Sequence, residues 1–175
     1  MKNAFLILLV AMPVFASAQF KLTPGGFVSA ADTTKNYVVI DAPGVSQADL
    51  YKRTLIYLSK QFASPKDAIS IIDNESITIN SIDNVGVRGF SNFLVNYTIN
   101  LEFKDDKLRV ISPSLNRMYN HQNTLGLIGG RYTRTIFKDN GEVRLDKTKQ
   151  SLELMFEAWI IRIKLGLEEG KAGNW

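Results

Sequence analysis

Between Phe93 and Lys104 the chain alternates without a break. Phe93, Val95, Tyr97, Ile99, Leu101 and Phe103 are large and apolar, and Leu94, Asn96, Thr98, Asn100, Glu102 and Lys104 stand between them. A period of two places the first six on one face of a strand and the second six on the other, so one face must be covered and the other can meet water. Shorter runs predict further strands. Residues 37–40 are β-branched or aromatic, bounded by Pro43-Gly44; residues 68–73 and 76–82 form a hairpin across Asp73-Asn74-Glu75; residues 108–111 return after Asp105-Asp106, closed by Pro113. A last strand is expected over 132–138, ending at the turn Asp139-Asn140-Gly141.

The cover comes from two amphipathic helices. Ser46 caps the first, with Asp49 three residues on, and Tyr51, Thr54, Leu55, Leu58 and Phe62 share a face before Pro65 ends it. The second is capped by Asp146 or Thr148 and runs to about Leu167, with Gly170 as its stop. Its stripe of Leu152, Met155, Phe156, Trp159, Ile160, Ile163 and Leu167 seats it on the sheet. The pattern predicts an α+β fold: a single curved antiparallel sheet in the order strand, helix, strands, helix, with both helices on one face. Residues 19–36 read as an extended arm with a turn, and 116–131 as a long surface loop with a short helical turn around Arg117 to Tyr119.

The beginning of the chain has a different character. A basic start, Met1-Lys2-Asn3, precedes an apolar run from Ala4 to Val14 and the small-residue site Ala16-Ser17-Ala18. This predicts a secretory signal peptide cleaved after Ala18 and a periplasmic or secreted protein; the run is too short for a membrane anchor. The expected organisation is leader 1–18, arm 19–36, domain 37–169 and tail 170–175. In 175 residues, 45% apolar and 22% charged, there is no cysteine. Disulfides, thiol nucleophiles and thiolate metal sites are thereby removed, and for an exported chain this favours a bacterial envelope. The formal charge of +4 is mild. It suits anionic surfaces such as lipid headgroups or acidic glycans, without the dense Lys/Arg stripe that nucleic-acid binding requires, and no nucleic-acid partner is expected.

Catalytic chemistry finds little to work with. His121 is the only histidine, and Gly89-Phe90-Ser91 is not a nucleophile elbow. No metal-ligand spacing appears, so no metal or cofactor is expected. The run Gly126-Leu127-Ile128-Gly129-Gly130-Arg131 lacks the Lys-Ser/Thr of a phosphate loop and reads as a flexible loop.

Two surfaces are left over. On the open sheet face, Ser76, Thr78, Asn80, Asn96, Thr98 and Asn100 form a row of short hydrogen-bonding side chains, a candidate platform for a glycan or peptide. On the far side of the last helix, Leu154, Ala158, Ile161 and Leu165 make a second apolar stripe, flanked by Glu153, Glu157 and Lys164 on one side and Arg162 on the other. A helix lying on a sheet has no use for a second stripe, so either the 116–131 loop or another protein, including a second copy, must cover it.

The residues Tyr37-Val38-Val39-Ile40, Gly44, Ser46, Leu50-Tyr51, the Gly141 turn and Met155-Phe156 resemble a family of small exported bacterial domains of unknown function, with a fold like half of the TATA-box-binding protein. The resemblance implies a curved antiparallel sheet with two helices on its convex side, and no reaction. The expected function is non-enzymatic binding through one of the two surfaces. The alternative is an envelope hydrolase whose site gathers around His121.

Overall fold

A computed structural model describes residues 18–85, 92–120, 123–132 and 134–172, with side chains up to residue 169. The residues read as a leader lie outside the described residues, apart from Ala18. Two sheets are present rather than one. A hairpin of β1 (Phe20–Thr23) and β2 (Gly26–Ser29) stands apart from an eight-stranded sheet. The large sheet comprises β3 (Tyr37–Asp41), β4 (Ile69–Ile72), β5 (Ser76–Val85), β6 (Phe93–Lys104), β7 (Lys107–Ile111), β8 (Ser114–Tyr119), β9 (Thr124–Gly126) and β10 (Arg134–Thr135). Every described pairing is antiparallel except β9 with β10.

The central strand β6 has the two faces its alternation demands: all six odd-numbered side chains are buried. At about 1.5–3 kcal/mol for each fully buried large side chain, this row is the main apolar investment of the sheet. One edge of β6 pairs with β5 along its length. The other edge is shared, with β7 on Leu101–Lys104 and β8 on Leu94–Thr98. The chain leaves β7 at Ser112-Pro113 and returns to the same edge as β8, so Pro113 breaks the ladder without ending the sheet. β3 adds to the outside of β7, which forks the sheet.

Helix α1 (Gln47–Gln61) begins at Ser46, whose hydroxyl accepts from the Asp49 N–H. The acidic pair at the β6–β7 turn completes this start. Asp106 Oδ1 accepts from Gly44 N at 2.7 Å and Asp105 Oδ1 from Gln47 N at 2.8 Å, satisfying donors where the helix dipole is positive. Pro65 does not close α1 but opens a short α2 (Pro65–Ala68), as suits a ring with no N–H to lose.

Helix α3 (Asp146–Ala172) is longer than expected, and Gly170 stays inside it. Leu152, Phe156, Trp159, Ile160, Ile163 and Leu167 are buried, with Met155 partly so. Both long helices cover the odd-numbered face of β6. Tyr51 meets Phe103 edge-on at 5.6 Å, and Phe156 meets Tyr97 edge-on at 5.1 Å.

The arm expected over 19–36 is the β1–β2 hairpin, and Phe20, Leu22 and Phe27 are buried in the same core as the sheet. It is tied to α3 by two carboxylates one helical turn apart. Glu153 Oε1 accepts from Leu22 N at 2.8 Å, and Glu157 Oε2 accepts from Gln19 N at 2.7 Å. The loop expected over 116–131 is overturned. Residues 114–119 and 124–126 are strands, and there is no helical turn at Arg117–Tyr119. The expected strand over 132–138 shrinks to β10 and one bridge, Phe137 to Val143, while the Gly141 turn stands at φ +84° with its N–H donating to the Lys138 carbonyl.

Candidate functional site

The even-numbered residues of β5 and β6 face away from the helices, and their register fixes what meets across the strands. Thr78 lies opposite Asn100, Asn80 opposite Thr98, and Ile82 opposite Asn96. Side chains follow this register. Thr78 Oγ1 donates to Asn100 Oδ1 at 2.8 Å, and Thr98 Oγ1 donates to Asn80 Oδ1 at 2.8 Å. The platform residues Thr78, Asn80, Asn96, Thr98 and Asn100 therefore sit together as one ladder, with Ser76 at its end opposite Glu102.

One member escapes a reading by alternation. Between Asn96 and Tyr97 the β6–β8 register slips by a residue, so that Arg117 opposes Asn96 and Leu115 opposes Tyr97. The extra residue, Asn116, turns its amide onto the open face, where Nδ2 donates to Thr98 Oγ1 at 3.0 Å and to Asn96 Oδ1 at 3.4 Å. A bulge of this kind re-aims a side chain at the cost of the period-two signal. Leu115 and Met118, which both face inward, come three apart instead of two, which is why this strand resembles a loop in the sequence.

In this ladder the carbonyl oxygens of Asn80, Asn96 and Asn100 are the acceptors. Their Nδ2 groups donate to no described residue, so three amide donors are held in place by bonds made through the opposite end of each side chain. Around them the face is mixed. Ile82 is 53% exposed and Leu94 39%. Arg117 lies over the Tyr119 ring at 4.7 Å, and Arg109 over Tyr37 at 4.8 Å while its guanidinium also reaches Glu102 at 3.2 Å. The two arginines were not among the expected platform residues; the strand carrying Arg109 was expected, and its register with Glu102 was the signal available.

The glycine run has a different use from anion binding. A Cβ on Gly126 would fall 2.1 Å from the Tyr132 ring, and one on Gly130 would fall 3.1 Å from it. The glycines make room for an aromatic side chain. His121, the centre of the hydrolase alternative, lies outside the described residues. Among the described residues no three His, Asp or Glu side chains come together as a metal site. A shallow groove of about 390 Å³ runs between β3 and the end of α3, with Arg53, Lys164, Asp41 and Glu168 at its rim. Opposite charges alternate there without a nucleophile and base in contact.

On the far side of α3, Leu154 is 66% exposed, Ile161 47% and Leu165 45%, with Ala158 partly exposed. The described part of 116–131 is engaged in the sheet through β8 and β9 and does not cover this stripe, which removes one of its two expected covers. Among the described residues no helix is long and apolar enough to cross a membrane.

Curled, mostly antiparallel strands with helices on one face define the class: an α+β domain of TBP-like fold. Residues 37–116 match the family model of DUF4468, a domain of unknown function with TBP-like fold. Two solved structures share the fold. A TBP-like protein from Parabacteroides distasonis superposes with a TM-score of 0.58 at 10% identity, covering 75% of this chain and 90% of its own. A DUF4468 family protein from Bacteroides ovatus gives 0.50 at 12% identity, covering 75% and 84%. No curated protein matches. The resemblance to a bacterial domain-of-unknown-function family with TBP-like fold is borne out. The matched stretch ends at residue 116, so Gly141 and Met155-Phe156 lie beyond it.

Proposed function

We propose that this chain is an exported, non-enzymatic binding domain, whose ligand docks on the open sheet face and whose second surface, the far side of α3, takes a protein partner. The observation that carries the reading is the set of prearranged amide donors on Asn80, Asn96 and Asn100, oriented by the Thr78, Thr98 and Asn116 bonds. Donors already held in place lose little freedom on binding, which is the condition for weak polar contacts to yield affinity. A ligand dense in oxygen acceptors suits them, and Ile82 and Leu94 offer apolar contact beside them. Arg117 adds positive charge at one margin, while the charge of Arg109 is balanced by Glu102. An acidic oligosaccharide of the cell envelope meets all three demands. DNA binding is no part of the reading, since it would carry over from the fold name alone.

The test is a binding titration with acidic and neutral oligosaccharides, and with extended peptides as the competing class. Two net hydrogen bonds of about 0.5–1.5 kcal/mol each are lost in the double variant Asn80→Ala/Asn96→Ala, so its affinity should fall about fivefold or more. Binding of an oligosaccharide that is indifferent to this variant removes the sheet face from consideration; binding of peptides alone replaces the ligand class.

A further inference from the structure

The far side of α3 is spaced like a seam and not like a patch. Leu154, Ala158, Ile161 and Leu165 follow one another at intervals of four, three and four, the repeat that keeps one helix face against another helix. Ser151 and Glu168 continue the same line at either end and are polar, so the seam is bounded. Leu154, Ile161 and Leu165 are exposed and Ala158 partly so, while the opposite side of the same helix is buried in the molecule's own core.

We propose that this seam pairs with the same seam on a second copy of the chain, the two α3 helices running antiparallel about a two-fold axis that passes between Ala158 and Ile161. The proposal rests on the reading of this side of α3 as a partner surface, and it names the partner. The spacing is the same read from either end. In an antiparallel pair, Leu154 packs on Leu165 of the second copy and Ala158 on its Ile161, giving two layers of Leu on Leu and two of Ala on Ile. The flank is self-complementary: Glu157 faces Lys164 of the second copy, and the symmetry repeats the contact. A parallel pair would also set Glu157 near a cation, Arg162, so charge specifies a copy of this helix without fixing its direction. Packing fixes it. Parallel helices stack Ala158 on Ala158 beside Ile161 on Ile161, leaving a void next to a full layer, and they align two helix dipoles unfavourably. Glu157 keeps an oxygen for the contact, because only Oε2 is taken by Gln19 N.

The absence of cysteine from the chain makes the test clean. Sedimentation of the purified protein at rising concentration should show a monomer–dimer equilibrium. Ile161→Glu places a charge in the seam of both copies and should raise the dissociation constant about a hundredfold or more, with the thermal unfolding of the monomer unchanged. For direction, Leu154→Cys and Leu165→Cys proteins are oxidised separately and then mixed. A disulfide-linked dimer should form in the mixture and in neither protein alone. Cross-linking of each protein with itself overturns the antiparallel arrangement. A monomer at every concentration overturns self-pairing altogether, and the sheet-face reading is then still decided by the Asn80 and Asn96 titration.

Discussion

Tyr97 shows how much of the architecture can depend on a single side chain. It occupies the middle of β6, buried, with edge-on contacts to Phe156 and Trp159, and its hydroxyl links two elements. The Trp159 indole N–H donates to it at 2.7 Å, and it donates in turn to Asp83. Burial, followed by the bond to Asp83, raises the phenol well above its ordinary range, so it keeps its proton at any pH the protein meets. Tyr97→Phe preserves the ring and strands the indole N–H without an acceptor. A loss of about 1–3 kcal/mol is expected, seen in urea unfolding as a lower midpoint at unchanged slope. The ring was legible in the alternation of β6. The hydroxyl chain was not, because Asp83 and Trp159 belong to no local pattern shared with Tyr97. The same limit hid Asn116: the platform on β5 and β6 follows from parity, but the bulge that adds a member obeys the pairing of two strands.

At the scale of elements, the two long helices touch where one of them has no side chain. A Cβ on Gly166 would stand 2.6 Å from Cγ and 2.8 Å from Cβ of Tyr57, near the root of a ring that cannot swing away cheaply. Two effects then compete in Gly166→Ala. Helix propensity favours alanine by about 1 kcal/mol, and overpacking costs about 1–3 kcal/mol. The clash should win, lowering the melting temperature in calorimetry. In a Tyr57→Ala background the loss should shrink without vanishing, since the ring contacts are gone while the contact at 2.8 Å with the Cβ of residue 57 stays. The helices themselves were readable from Ser46, Asp49 and the 3.6-residue stripes. Their ends were not: Pro65 starts a helix and Gly170 fails to stop one, because the same residue can serve on either side of a boundary.

On the scale of the molecule, the covered face could be derived from the sequence, whereas the exact order of elements, the fork of β7 and β8 on one edge of β6 and the separate hairpin could not. The last two depend on contacts between distant residues. The hairpin also bears on the proposed leader. Removal of residues 1–18 would leave the Gln19 nitrogen as an ammonium group beside Glu157, at the point where a backbone N–H now donates at 2.7 Å. Mass spectrometry of protein recovered from the producing cell should find a chain beginning at Gln19. Glu157→Gln should then destabilise the processed chain more than the unprocessed one, measured by thermal unfolding of both. A mature chain that begins elsewhere counts against the assignment.

The contacts of Glu153 and Glu157 join residues 131 and 138 positions apart. The hairpin of β1 and β2 can pair within itself, but it cannot be tied to α3 until that helix has been synthesised. Until then the chain lacks these two ties, and it is easier to unfold than the finished domain.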